Sequence, residues 1–265
     1  MVKYIFMALF LFSQISFASV SKVEYLTLTN ALSSIYGKKI EASNNTLKFT
    51  LKNSDQAPNA YASKSSEGLW EVTVISSLLA LKEQTTASLG IILCHEVGHF
   101  LGGEPYVVGI QLTPAVRSRA PKKMSCEGQA DYFATSECMK ALAIKVPELF
   151  KGNEGLLNPM VNQYCAESYL ENKDISLCQE TLIAAYQATL VYQKIMDALN
   201  VPASFLGKID NESTDRTLNN VGEYPSLDCR YETFIKGTLC SSLSGNVCND
   251  LKWSRPTCWF QEVQP

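Results

Sequence analysis

Apolar residues recur at helical spacing from Val23 to Tyr36, and Gly37 offers a stop, so a first helix is expected over 23–36. Thr46 to Leu51 alternates as a strand does, and Leu69 to Ile75 (LWEVTVI) is a second strand, richer in β-branched and aromatic residues. Between them Asn53 to Glu67 reads as a polar loop. The next helix is expected to open with Thr85 or Thr86 as N-cap and to run to Leu101, where Gly102 and Gly103 end it. Glu104 to Lys123 contains Pro105, Pro114 and Pro121 and reads as an irregular excursion. Helical patterns return from Ser125 to about Ile144 and from Leu177 to Leu199. The stretch from Cys229 to Cys258 sets four cysteines among Gly, Ser, Asn and Pro, which predicts a stapled, loop-rich cap. The pattern as a whole is α+β: mainly helical, with a small sheet and a disulfide-stapled C-terminal region. There is no internal repeat.

The first 18 residues, MVKYIFMALFLFSQISFA, have a basic start at Lys3, an apolar run from Tyr4 to Phe12, and small residues at Ser16 and Ala18. These are the parts of an export signal cleaved after Ala18. The apolar run is well short of the roughly 20 residues that span a bilayer, and no later stretch is longer. The expectation is one exported domain over 19–265, without a transmembrane segment once the signal is removed, located in the periplasm or secreted. A formal net charge of −3 gives no basic footprint, so nucleic acid is not an expected partner.

The chain has only two histidines, and both fall in Cys94-His95-Glu96-Val97-Gly98-His99. On a helix, residues four apart share a face, so His95 and His99 can present two imidazoles to one zinc ion. Glu96 lies about 100° round from His95, within reach of a water held there. A catalytic zinc takes three protein ligands, and no histidine remains. The third is expected from Glu127-Gly128-Gln129-Ala130-Asp131 on the next helix: Glu127 as ligand, and Asp131, four residues on, as acceptor for the far ring nitrogen of a ligand histidine. One Zn²⁺ per chain follows.

The nine cysteines are an odd number, so at least one thiol is free or partnered elsewhere. Cys94, on the apolar helix, is the expected free one, and the other eight are expected to form four disulfides. Cys126 and Cys138 cannot pair with each other on one helix, where they would stand about 18 Å apart. Cys94 and Cys126 each lie about 100° off the face of the neighbouring ligand, which argues against either as a metal ligand.

H-E-x-x-H followed by E-x-x-A-D resembles the gluzincin metallopeptidases, and within them the CAAX-prenyl-protease-like family. Pro58-Asn59-Ala60-Tyr61 is similar to that family's Asn-Ala-aromatic segment. Trp70-Glu71-Val72-Thr73-Val74, within the expected Leu69–Ile75 strand, stands where the family has the edge strand that borders the cleft and pairs with substrate backbone. Tyr224-Pro225-Ser226, with Arg230 beyond, resembles its late His-Pro-Pro segment and downstream arginine. The histidine of that segment is Tyr224 here, and a phenol can donate to a developing oxyanion. The multispanning membrane helices of the prenyl-protease branch are missing, which argues against a prenylated substrate. The resemblance implies a zinc metalloendopeptidase acting on peptides or proteins, with Glu96 as general base. The loop Glu104–Lys123, carrying Arg117, Arg119, Lys122 and Lys123, joins the two ligand helices and is expected at the cleft rim. The alternative is a non-catalytic zinc-binding or chaperone-like module on the same scaffold, against which the presence of Glu96 counts. Nothing in the sequence sets an oligomeric state.

Overall fold

Ser21 opens helix α1 (Lys22–Glu41) with a reciprocal cap: its hydroxyl accepts from the Glu24 amide, and its own amide donates 2.8 Å to the Glu24 carboxylate. Tyr25, Leu28, Leu32, Tyr36 and Ile40 form the buried face. The helix passes through Gly37 instead of ending there. Continuing buries Ile40 completely, and the chain turns out only at Asn44, where φ is 55°. The computed structural model describes residues 19–107, 124–151, 159–207, 224–244 and 247–260. The expected signal at 1–18 and the cationic residues Arg117, Arg119, Lys122 and Lys123 lie outside the described residues.

Strands β1 (Thr46–Lys52), β2 (Ala60–Lys64) and β3 (Leu69–Ile75) form one sheet in the order β1-β3-β2, with β1 parallel and β2 antiparallel to β3. This corrects two expectations. Leu69–Ile75 is the middle strand, hydrogen-bonded on both sides, so it cannot be the edge that receives a peptide. The stretch expected to be a polar loop contains β2 instead. Its covered positions are Ala60, Ala62 and Lys64, opposite Val74, Val72 and Trp70, and two alanines and a lysine do not register as hydrophobic alternation. β2 is therefore an edge strand, and it packs beside the helix that carries the histidines.

A one-turn helix, α2 (Ser76–Leu79), leads to α3 (Thr86–Leu101). Thr85 caps α3 as expected, accepting from the Ser88 amide while Ser88 accepts from the Thr85 amide. From Ala87 to Gly98 every residue of α3 is buried, the signature of a helix at the centre of a core. Leu89, Ile91, Ile92 and Leu93 are almost completely buried, each worth about 1.5–3 kcal/mol of apolar transfer. Short strands β4 (Tyr106–Val107) and β5 (Met124–Ser125) then pair antiparallel. The helix expected over 125–144 is in fact α4 (Glu127–Phe133), a π-helical turn at Ala134–Cys138, and α5 (Met139–Lys145). Single π turns inside helices are rare and gather at functional sites.

The second half is helical: α6 (Pro159–Ser168), α7 (Asn172–Ala198) and α8 (Leu227–Leu239). α7 begins earlier than its apolar pattern suggested. α8, capped by Ser226, takes up the first part of the stretch expected to be loop-rich. A short hairpin of β6 (Leu243–Ser244) and β7 (Val247–Cys248) and a 3₁₀ turn at Leu251–Trp253 follow. No helix among the described residues is long and apolar enough to cross a membrane.

Four disulfides join Cys94 to Cys138, Cys165 to Cys178, Cys229 to Cys258 and Cys240 to Cys248. Cys94 is thus not the free cysteine. α3 packs against the π-helical turn, which brings the Cα atoms of Cys94 and Cys138 to 5.6 Å, within bonding range. The free thiol is the buried Cys126, whose pKa burial pushes up to about 12. Such a thiol stays protonated and inert.

Candidate metal centre

The periodicity of α3 puts His95 above His99 on one face, with ring centroids 4.7 Å apart. That face meets α4 because of one glycine. A Cβ on Gly98, between the two histidines, would lie 2.9 Å from the Cα of Ala130, so only glycine allows the two backbones this close. The approach brings Glu127 and Asp131, one turn apart on α4, against both imidazoles.

Each ring has its far nitrogen occupied. His99 Nδ1 lies 2.9 Å from the Ser125 carbonyl, and His95 Nδ1 lies 2.7 Å from Asp131 Oδ1. The Nε2 atoms point at the two oxygens of Glu127: 3.3 Å from His95 Nε2 to Oε2 and 3.6 Å from His99 Nε2 to Oε1. A tetrahedral ion with bonds of about 2.0–2.1 Å holds its ligands about 3.4 Å apart, so two imidazoles and a carboxylate at these separations fit zinc. Glu96 is buried, and its carboxylate and the two rings each bring a donor atom within 4.8 Å of the others.

The electrostatics favour positive charge between these groups. Burial works against a charged His95, yet the Asp131 carboxylate and hydrogen bonds to Asp131 and Glu127 push its pKa up to about 10. Glu127 behaves oppositely. Burial disfavours its charge, but His99, His95 and Arg230 together hold it far below the usual carboxylate range. Burial raises the pKa of Glu96, against the pull of the two histidines. One carboxylate is kept ionised and its neighbour inclined to take a proton, the division of labour a ligand and a base require.

Asp131 is fully buried and Arg230 is 2 % exposed. Arg230 binds Asp131 through two hydrogen bonds, Nε to Oδ2 at 2.8 Å and Nη2 to Oδ1 at 2.7 Å. Its Nη2 also lies 3.3 Å from His95 Nδ1 and 3.9 Å from Glu127 Oε2. The other face of the guanidinium rests on Tyr192 of α7, 3.8 Å from the ring centroid. The pair leaves no isolated charge in the interior, which would be far costlier. Tyr224 presents most of its surface to solvent, but its hydroxyl donates to Glu127, whose charge keeps the phenol protonated.

The structure thus gathers His95, Glu96, His99, Glu127, Asp131 and Tyr224 into one site. Sequence reasoning noted Arg230 only through a resemblance and missed Tyr192. Tyr192 sits in the run Ala188, Val191, Tyr192, Ile195 of buried positions, which reads as ordinary core. The Ser125 carbonyl had no side-chain signal at all.

Comparison with known proteins places part of this arrangement. A model of Peptidase family M48 matches residues 26–118. The matched stretch takes in α1 from Leu26 onward, the sheet and α3 with both histidines, and it stops before Glu127. The match supports a zinc metallopeptidase family, and with it a peptidase acting on peptides or proteins. Neither the curated proteins nor the solved structures contain a significant match.

Proposed function

We propose that this chain is an exported zinc metalloendopeptidase of the CAAX-prenyl-protease-like kind, in which His95, His99 and Glu127 hold the metal. The observation that carries this reading is the convergence of both Nε2 atoms on Glu127, with every far ring nitrogen already committed. Zinc, when bound, supplies a Lewis acid that polarises a peptide carbonyl and lowers the pKa of water. Glu96 takes the proton of the attacking water on its carboxylate and delivers it to the leaving amine nitrogen. Asp131 accepts from His95 Nδ1 and so keeps His95 Nε2 free for the metal. Arg230 balances the Asp131 charge and fixes its two oxygens. Tyr224, protonated beside Glu127, has one hydroxyl proton to turn from that carboxylate to a developing oxyanion.

The peptide lies extended along the outer edge of β2, to which no other strand among the described residues pairs, beside α3, and not along β3, which is paired on both sides. Four disulfides suit an oxidising compartment, in keeping with an export signal at 1–18. The test is metal analysis of residues 19–265, combined with cleavage of casein in the presence and absence of a chelator. Zinc near one per chain, chelator-sensitive cleavage, and loss of cleavage without loss of zinc in Glu96→Gln are expected. A Glu96→Gln protein that bound zinc normally and left every activity unchanged, with cleavage also indifferent to chelator, would show that the cleavage does not come from this site, remove the peptidase reading and leave a zinc-binding module.

A further inference from the structure

α4 is short, seven residues, and carries two of the proposed site's carboxylates, Glu127 at its first position and Asp131 one turn on. What holds it on the side away from α3 is the C-terminal segment. A Cβ on Gly128, next to Glu127, would overlap the indole of Trp259, so the ring lies flat against the first turn of α4. The same indole donates from Nε1 to Thr233 Oγ1 of α8 at 2.9 Å. Trp259 is thus a buried wedge between α4, which bears Glu127 and Asp131, and α8, which bears Arg230. Its neighbour Cys258 is bonded to Cys229, the residue before Arg230. Further along the same segment Tyr132 donates to the Trp253 carbonyl at 2.8 Å, and Arg255 donates to Gln129 Oε1 at 3.1 Å. All three attachments to α4 fall within six residues of Glu127.

We infer that Trp259, held by the Cys229–Cys258 staple, is a positioning residue for the metal centre: it sets the spacing between the Glu127–Asp131 turn and Arg230. The inference rests on the zinc reading above. Groups that orient ligands in this way typically affect metal affinity by 10–100-fold, because a ligand displaced by a fraction of an ångström binds from a poorer geometry. Loss of the wedge frees α4 to tilt and Arg230 to leave Asp131. A staple elsewhere in the same segment, Cys240–Cys248, closes a hairpin whose Cys240 carbonyl accepts from Lys140 of α5 and from Tyr169, and it serves as the control.

The experiment measures zinc affinity by competition with a chromophoric chelator, thermal stability, and the visible absorption of the Co²⁺-loaded protein. Trp259→Ala is expected to weaken zinc at least tenfold and to alter the Co²⁺ spectrum. Cys240→Ala/Cys248→Ala should lower the melting temperature yet leave zinc affinity within twofold of wild type. Trp259→Phe, which keeps the packing on Gly128 but loses the bond to Thr233, should fall between. Gly128→Ala pushes the indole away without emptying the core, and it tests the same contact if Trp259→Ala fails to fold. Adding Gly128→Ala to Trp259→Ala should cost little more than Trp259→Ala alone, since the partner it displaces is already gone. Wild-type zinc affinity in both Trp259→Ala and Gly128→Ala would overturn the inference while leaving the zinc reading intact. A wild-type chain that bound no zinc would remove the reading itself.

Discussion

The two halves of the molecule are held together by different physics. From α1 to α3 the interior is mainly aliphatic: Leu28, Leu32, Ile40, Val72, Val74 and, on α3, Leu89, Ile91, Ile92, Leu93 and Val97 bury apolar surface, and no disulfide closes within that half. From α6 onward three disulfides close within the half, and its interior includes a buried Arg230 stacked on Tyr192. The proposed metal site lies on the seam. Its histidines come from the first half, its balancing arginine from the second, and α4 with Glu127 and Asp131 lies between, tied to α3 through Cys94–Cys138 just beyond its end. A site built this way has the helix that carries its histidines fixed by burial, while the orientation of the His95 ring and the charge on the other side depend on cross-links and on an ion pair that must remain complete.

The sharpest break in that comparison is removal of a ligand from either side. His99→Ala, on the aliphatic side, and Glu127→Ala, across the seam, should each abolish stoichiometric zinc and chelator-sensitive cleavage, by at least about 10³-fold in activity. They should differ in folding. His99→Ala leaves α3 packed, so its melting temperature in the metal-free state should stay near wild type. Glu127→Ala removes the acceptor that balances His95 and Arg230 and should shift it further. Metal analysis with calorimetry on the metal-free proteins checks both.

Next in size is Arg230→Met. Removing one member of a buried pair leaves Asp131 and Glu127 facing the histidines without the guanidinium that balances them, typically a loss of about 3–5 kcal/mol, read by urea unfolding. Arg230→Met/Asp131→Leu should recover much of that stability without recovering full zinc affinity, because His95 Nδ1 then lacks its acceptor. A double variant no more stable than Arg230→Met would show that the pair contributes shape and not charge balance.

How much of this was visible beforehand follows the same divide. The apolar half announced itself: the caps and stops of α3, the Leu69–Ile75 strand and the two histidines four apart all have local signals. β2 escaped because Ala60 and Ala62 carry too little hydrophobicity, and that omission turned the middle strand into an edge. The partner of Cys94 escaped because pairing depends on where a π turn brings Cys138, and nothing in the order of residues announces a π turn. In the site, Glu127 and Asp131 were legible from their spacing of four. Tyr192 was not, because a buried tyrosine in a helical apolar run looks the same whether it fills space or supports an arginine.

A third test sets one kind of support against the other at similar cost. Cys165→Ala/Cys178→Ala opens a short cross-linked loop, for which chain entropy predicts a loss of about 3 kcal/mol. Ile92→Ala, in the middle of α3, should cost 2–5 kcal/mol through lost burial and the cavity left behind. The two are distinguished by adding a reductant after unfolding. Reduced wild type should refold with the same deficit as, or a larger one than, the cysteine variant, whereas the Ile92→Ala deficit persists whether or not the disulfides re-form. Equal sensitivity of both proteins to reductant would mean that the halves do not divide their support in this way.

The smallest effect should appear where the halves meet at the start of α3. Thr85 closes the cap with Ser88, and its hydroxyl also donates 2.8 Å to Gln187 Oε1 on α7, so one atom ties the aliphatic helix to the stapled half. Losing an N-cap acceptor costs about 1 kcal/mol, and Gln187 Oε1 would lose a buried donor as well. Thr85→Ser keeps the hydroxyl and both bonds and should match wild type within a few tenths of a kcal/mol, while Thr85→Ala should lose about 1–2 kcal/mol. Gln187→Leu removes the second bond alone, so combining it with Thr85→Ala separates the two contributions. If Gln187→Leu costs nothing in the wild-type background and Thr85→Ala still costs the full amount, the hydroxyl serves the cap only and the tie across the seam carries no weight. If the two losses are strongly non-additive, the helix that carries both histidines is anchored at its N-cap by the half that supplies Arg230.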